Sequence, residues 1–176
     1  MRPPRAALVP LIVVLALAGC GTHAVAPKSW VASVCRALTP WQQQIAQLTS
    51  QAQAAMAKAT TPAETKTNLV RLLSGAEQAS ETARAKLAAA GVPDVQGGAV
   101  IAAEFTRSLA AVRDAYGKAR RAVEALDPAM EASAFYDKVV AIWDTLNQEY
   151  SRSAVDTGKL SSTELRQAFD EVPECR

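Results

Sequence analysis

The apolar residues of this 176-residue chain recur at alternating intervals of three and four over most of its length. This spacing places apolar side chains on one face of an α-helix and is typical of helices that pack along a common seam. The first seam consists of nine positions: Val31, Val34, Leu38, Trp41, Ile45, Leu48, Ala52, Ala55 and Ala59. No strand signal accompanies the pattern. The sequence therefore predicts an all-α protein.

Proline and capping residues indicate where the first two helices begin and end. Pro40 lies inside the first seam, and we expect a kink or a break after Thr39 because proline cannot donate a helical hydrogen bond. The apolar phase continues across Pro40, which favours one kinked helix over two separate helices. Thr61, Pro62 and Glu64 form a capping-box pattern that predicts the start of the second helix.

Glycine, aspartate and proline mark the next boundaries. Gly91 and Pro93 predict the end of the second helix, and the glycine pair at 97–98 predicts the start of the third. The Asp-Pro pair at 127–128 predicts the end of the third helix and the cap of the fourth. A short fifth helix is expected with Ser161 as its cap, Glu164 completing a second capping box, and Leu165 and Phe169 facing inward.

The fourth helix carries two neighbouring apolar rows. The main seam consists of Phe135, Val139, Ile142, Leu146 and Tyr150. The second row consists of Tyr136, Val140 and Trp143. We expect this second row to be buried against the fifth helix and Phe169. The alternative is a partly exposed patch at which a protein partner or a lipid docks.

The four main segments have matched lengths of about 27 to 31 residues and are joined by short turns. This predicts an antiparallel up-down-up-down four-helix bundle with a short C-terminal fifth helix. A less regular stack of two long hairpins is the alternative. The chain contains 37 alanines, many of them on the seams, so we expect close helix packing and little internal volume.

The N-terminal residues have the layout of an export signal. Arg2 and Arg5 precede an apolar run at 6–18, which is shorter than the roughly 20 residues needed to span a bilayer. The sequence Leu17-Ala18-Gly19-Cys20 that follows resembles the lipobox of bacterial lipoproteins, in which the cysteine is diacylated and becomes the new N-terminus.

This resemblance implies that residues 1–19 are a cleaved signal peptide and that diacylglycerol on Cys20 anchors the protein to the extracytoplasmic face of the cell membrane. Residues 20–28 would then be a lipidated tether, and residues 29–176 the helical bundle domain. The alternative is an ordinary secretory signal cleaved near Ala24 or Ala26, which would leave a soluble protein. The position of Cys20 directly after three small or apolar residues favours the lipoprotein.

Lipidation of Cys20 would leave Cys35 and Cys175 as a pair in an oxidising compartment. We expect a disulfide between them that closes the bundle, with two separate thiols as the alternative. Further residues, Cys35-Arg36-Ala37-Leu38 and the ending Pro173-Glu174-Cys175, resemble small exported alanine-rich helical proteins of high-GC Gram-positive bacteria. That resemblance supports the cysteine pair and an envelope location, and it implies no catalytic or ligand-binding residue.

The charge of the chain gives no argument for nucleic-acid binding. The sequence has 19 basic and 17 acidic residues, and Arg2 and Arg5 would leave with the signal peptide, so that the processed protein is neutral. The local basic stretch at 113–121 is interrupted by Asp114 and is interpreted as a solvated helix face.

Few residues are suited to catalysis. The only histidine, His23, lies in the tether, which removes Ser-His and Cys-His nucleophiles and the Glu-x-x-His ligands of di-iron bundles from the domain. With the cysteines paired, no soft zinc ligands remain. Glu77 and Glu81 share a helix face away from the seam and are interpreted as two solvated acids. Glu104 and Glu149 flank other seams without a second acid near them.

These residues predict no catalytic site, metal or cofactor. The sequence favours a non-enzymatic cell-envelope lipoprotein that acts through protein or cell-wall contacts. The alternative is a protein that binds a lipid or a hydrophobic small molecule between its helices. An enclosed apolar cavity would favour the alternative, and an exposed aromatic patch would favour the contact function.

Overall fold

The computed structural model describes residues 24–153 and 160–176, and these residues are mostly helical. Within these ranges the elements are, in chain order, β1 (Ala24–Val25), α1 (Pro27–Met56), α2 (Pro62–Ala89), β2 (Val92–Pro93), α3 (Gly98–Glu124), α4 (Ala132–Ser153) and α5 (Thr163–Glu171). A short 3-10 turn at Pro173–Cys175 ends the chain.

The two short strands are the first departure from the sequence prediction. Ala24 pairs with Val92 and Val25 with Pro93 in a parallel ladder. The expectation of no strand was wrong here because pairing over two residues is too short to produce an alternating pattern. Residues 24–28 of the predicted tether therefore belong to the fold, while residues 20–23 lie outside the described residues.

α1 is one continuous helix that contains Pro40, as the unbroken apolar phase predicted. Its fully buried residues lie in the first part of the helix: Trp30, Val31, Val34, Cys35 and Ala37. The later seam residues, such as Leu48 and Ala52, are half-buried. α5 and the C-terminal turn cover only the first part, because the core on that side contains Leu165 and Ala168 of α5.

Two predicted helix starts are confirmed. The Thr61 hydroxyl accepts a hydrogen bond from the Glu64 N–H at 3.3 Å, and the Glu64 carboxylate accepts one from the Thr61 N–H at 3.2 Å. This is the reciprocal capping box that the sequence indicated. Gly97 precedes α3 with a φ of 74°, a left-handed conformation that glycine adopts without a steric penalty.

The predicted cap of α4 is wrong. The Asp127 carboxylate accepts a hydrogen bond from the Ala129 N–H at 2.9 Å and so closes a turn. The helix begins four residues beyond Pro128, and the Glu131 carboxylate accepts a hydrogen bond from the Ala134 N–H at 3.0 Å. In the described part of the chain α4 therefore spans 22 residues, from Ala132 to Ser153.

The cap of α5 is also displaced. The hydroxyl of Ser162, rather than that of Ser161, accepts a hydrogen bond from the Leu165 N–H at 3.2 Å. A capping side chain reaches only the N–H donors two or three residues ahead. The position at which the first helical turn begins therefore decides which of the two adjacent serines is the cap. Leu165 is fully buried as predicted, and Phe169 is half-buried.

Two hydrophobic cores share α2 and α3. The first core joins α1, α2, α3 and α5 around Trp30, whose ring meets Phe105 edge-on at 5.3 Å and whose indole N–H donates to the Gly91 carbonyl at 3.1 Å. The second core joins α2, α3 and α4 and contains six buried side chains: Leu69, Leu73, Ala115, Ala119, Val123 and Leu146.

Trp41, predicted for the core stripe, lies at the edge of the first core and is half-buried. Its indole N–H donates a hydrogen bond to the buried Ser80 hydroxyl at 3.1 Å, and Ser80 in turn donates to the Ala76 carbonyl at 2.8 Å. The buried hydroxyl is thus satisfied on both sides, which avoids the cost of an unpaired polar group in a core.

The predicted disulfide is present. Cys35 and Cys175 are bonded, with Cα atoms 5.1 Å apart and 140 positions apart in sequence. The bond attaches the C-terminal turn to α1, and the Arg36 guanidinium pairs with the Glu174 carboxylate 3.3 Å away beside it.

We predict that Cys175→Ala lowers the free energy of unfolding by about 2 to 5 kcal/mol, because the bond restricts a loop of 140 positions in the unfolded chain. Denaturant titration followed by circular dichroism measures this change. The double variant with Cys35→Ala and Cys175→Ala should have nearly the same free energy of unfolding as Cys175→Ala alone, because the disulfide is already absent from the single variant. Reaction of both Cys35 and Cys175 with an alkylating reagent in the folded protein, in the absence of a reductant, would contradict the prediction.

Candidate functional site

The second apolar row of α4 is exposed. Tyr136, Val140 and Trp143 retain 40%, 58% and 38% of their accessible surface. The expectation that this row is buried against the fifth helix is therefore wrong. α5 packs on α1 instead, and the ring of Phe169 stacks on Phe105 at 6.1 Å. The exposed patch that the sequence left as the alternative is the observed state.

Two further residues extend this row. Asn147 is exposed, and Tyr150 retains 37% of its accessible surface, so that the positions continue at alternating intervals of four and three. We call the five residues Tyr136, Val140, Trp143, Asn147 and Tyr150 the α4 face. The sequence placed Tyr150 in the buried seam, which is wrong. Its ring meets Tyr116 edge-on at 6.2 Å at the margin of the second core.

The buried side of α4 follows the predicted main seam in its other four positions. Phe135 and Leu146 are fully buried, and Val139 and Ile142 are half-buried against the second core. The first four residues of the α4 face each follow a seam residue by one position. Because a helix turns by about 100° per residue, the α4 face is rotated by about 100° around the helix axis from the buried seam. α4 consequently carries two apolar rows, of which only one is covered.

The margin of the α4 face is acidic. Asp137 and Asp144 each follow a member of the face by one residue, which places them about a quarter turn from its centre on the solvent side. Both are exposed, and within residues 24–153 and 160–176 neither forms an ion pair with a basic side chain. The arrangement suits a partner that presents apolar residues beside basic ones.

Glu77 and Glu81 are not free solvated acids. Glu77 pairs with Arg120 of α3 at 2.8 Å, and Glu81 pairs with Arg113 of α3 at 2.7 Å and with Arg84 at 2.6 Å. Much of the predicted basic face is therefore used to join α3 to α2. The hydrogen bonds from Arg84 and then Arg113 lower the pKa of Glu81 from 4.5 to about 2.

The remaining acids are separate from one another. Glu104 is exposed, and Glu149 is half-buried and pairs with Lys118 of α3. In the part of the chain that the structure describes, no three His, Cys, Asp or Glu side chains are grouped so as to hold a metal ion. Cys20 and His23 lie outside the described residues.

A groove runs between α3 and α4 on the side of α4 away from the α4 face. Its apolar part has a volume of about 280 Å³ and is lined mainly by alanines together with Ile142 and Leu146. The groove is open to solvent rather than enclosed, so it does not contradict the expectation of little internal volume. Alanine side chains are too short to fill the space between two helices that are not in closest contact. We call this space the α3–α4 groove.

Comparison of the chain with protein-family models, curated proteins and solved structures finds no match. None of the helices in the described part of the chain is both long and apolar enough to cross a membrane.

We predict that Glu81→Gln lowers the melting temperature at pH 7, because it removes the carboxylate that joins Arg84 and Arg113. The pKa of Glu81 is lowered in the fold, so its contribution is fully present above about pH 4.5 and is lost as the pH falls towards about 2. The difference between wild type and variant should thus shrink over this range.

Thermal melts followed by circular dichroism from pH 7 downwards test this expectation. The control is Glu104→Gln, which removes an equally charged but exposed side chain without an ion pair among the described residues. A difference for Glu81→Gln that stays constant down to about pH 2 would show that the ion pairs do not contribute.

Proposed function

We propose that this protein is a non-enzymatic lipoprotein of the cell envelope whose helical domain acts through contacts with another protein or with the cell wall. The α4 face is the observation that carries this proposal. Four of its five side chains are aromatic or aliphatic and retain 37% to 58% of their accessible surface, although the same helix buries a parallel row. Contiguous exposed apolar surface of this kind is typical of docking sites.

The sequence at Leu17–Cys20 supports anchoring by a diacylglycerol on Cys20 at the extracytoplasmic face of the cell membrane. Because Ala24 belongs to β1, only residues 21–23 would separate the lipidated cysteine from the folded domain. A fully extended chain would span at most about 14 Å over this interval. Anchoring would therefore hold the domain directly against the membrane, closer than the tether of residues 20–28 implied.

We also propose that the helices are arranged antiparallel, in up-down-up-down order. Three hydrogen bonds support this order, since each joins a residue in the first half of one helix to the end of the next helix. Trp30 bonds to the Gly91 carbonyl, Lys66 donates to the Leu126 carbonyl at 2.7 Å, and Ser108 donates to the Ser153 carbonyl. In this arrangement α5 packs in the first core, at one end of the bundle, and α4 packs in the second core, at the other end.

Within this arrangement the disulfide lies at the pole nearest the membrane. β1, through which the anchor would connect, pairs with β2 at the start of α3, and this pole also contains Trp30 and Cys35. α4 begins at the opposite pole, after the turn at 125–131. The α4 face would then run along the side of the molecule, accessible to a partner in the envelope.

Cys20→Ala should block acylation and release the protein from the membrane fraction. Fractionation of cells that express the full chain, with mass spectrometry of the N-terminal peptide, measures both effects. Cys175→Ala provides the matched control, since it removes a different cysteine and should leave the protein in the membrane fraction. A Cys20→Ala protein that remains in the membrane fraction with unchanged processing would reject the lipid anchor.

Replacement of Tyr136 and Trp143 by serine should lower the free energy of unfolding by about 1 to 2 kcal/mol in total, because the two side chains retain 40% and 38% of their accessible surface and Tyr136 meets Phe135 edge-on at 5.5 Å. Phe135→Ala in the adjacent buried row should cost about 3 to 5 kcal/mol. Urea titration compares the variants. A loss of several kcal/mol in the serine variant would mean that these side chains are part of the core.

Docking itself is tested by a photo-crosslinking amino acid introduced at Val140 in intact cells. The same amino acid at Val100 is the control, because Val100 is equally exposed, at 61% against 58%, but lies on α3. We expect one defined crosslinked partner from Val140 that is lost when Tyr136 and Trp143 are serine. Equal crosslinking from both positions would contradict a docking function of the α4 face.

A further inference from the structure

The α3–α4 groove has two adjoining parts of different character. The apolar part, of about 280 Å³, has a floor that includes the buried residues Ala119 and Leu146. The second part, of about 480 Å³, extends towards the C-terminal end of α4 and is lined by charged residues. Ala115, Lys118 and Glu149 line both parts, so that the two form one continuous groove.

The charged part contains more positive than negative charge. Its basic residues are Lys118, Arg121 and Arg152, and its acidic residues are Asp114 and Glu149. Lys118 pairs with Glu149, and Asp114 pairs with Arg113 at 2.7 Å. Among the residues that the structure describes, neither Arg121 nor Arg152 forms an ion pair with a carboxylate.

We propose that the α3–α4 groove binds a single-chain amphiphile with an anionic head group. The hydrocarbon chain would lie in the apolar part, where its removal from water favours binding. The head group would lie at the charged part, where a guanidinium donates charge-assisted hydrogen bonds to a carboxylate or a phosphate. A volume of about 280 Å³ is at the lower end for ligand pockets, which favours one chain over two.

Charge distinguishes this groove from the other apolar surface of the same helix. The α4 face is bordered by Asp137 and Asp144, whose carboxylates repel an anionic head group. The groove offers Arg121 and Arg152 in the corresponding place, and neither forms an ion pair within residues 24–153 and 160–176. The proposal goes beyond the contact function of the α4 face and does not depend on it, because the two surfaces lie on nearly opposite sides of α4.

Photo-crosslinking with a dodecyl phosphate that carries a diazirine in its chain tests the proposal. The full chain is held in nanodiscs of zwitterionic lipid, and the labelled residues are mapped by mass spectrometry. We expect label in residues 115–122 and 141–149. Ala141→Phe, at an exposed position on the groove wall, should lower this label about tenfold or more because it fills the apolar part.

Arg152→Gln should lower labelling by about tenfold, the loss typical of one charge-assisted hydrogen bond. Arg107→Gln, which removes an exposed arginine of α3 outside the groove lining, is the matched control and should have no effect. Circular dichroism confirms that each variant is folded. A dodecanoate probe shows whether a carboxylate serves as well as a phosphate, and either result is consistent with an anionic head group.

Two results would overturn the proposal. An uncharged dodecyl glucoside probe that labels the groove as strongly as the phosphate would show that the cations do not select the ligand. Label spread equally over the groove and the α4 face would show that the chain is held by any apolar surface. Neither result bears on the crosslinking from Val140, so failure here is distinguishable from failure of the docking function.

Discussion

The close packing of α2 on α3 is the contact on which the rest of the fold depends. Both hydrophobic cores contain residues of these two helices, and ion pairs from Glu77 and Glu81 to α3 border the same contact. Gly117 leaves room for the carboxylate that pairs with Arg120, since a Cβ atom there would lie 2.6 Å from the Glu77 carboxylate oxygen. α1, α4 and α5 each add to this pair and contribute to one core or to both.

The presence of two separate cores explains why both candidate surfaces, the α4 face and the α3–α4 groove, lie on α4. The first core is completed by α5, which occupies the position beside α1 that a fourth long helix would take in a closed bundle. α4 therefore packs mainly on α3, along the row that contains Phe135 and Leu146. One flank of the helix is left in solvent as the α4 face, and the other borders the α3–α4 groove.

The features that the sequence predicted correctly are those set by local chemistry or by a covalent bond: the Thr61 capping box, the Gly97 helix start, the continuous α1 and the Cys35–Cys175 bond. The errors concern choices that depend on tertiary packing. Whether Tyr136 and Trp143 are buried is decided by where α5 docks, and no residue of α4 encodes that. The late start of α4 also runs against local preference, because Asp127 is the usual kind of N-cap residue but closes a turn, and the Glu131 carboxylate accepts the hydrogen bond from the first turn of the helix.

Burial is distributed unevenly between α2, which lies in both cores, and α4, which carries the two proposed binding surfaces. α2 fully buries nine residues over its length, whereas α4 fully buries only Phe135 and Leu146. Elements with few buried contacts have low local stability and are the usual source of binding surfaces. The α2–α3 pair contributes to both cores, whereas α4 contributes few buried residues and only to the second core, so the side chains on the two flanks of α4 are less constrained by packing. The opposite charges at those flanks, acidic beside the α4 face and basic in the groove, fit two ligands of different chemistry on one helix.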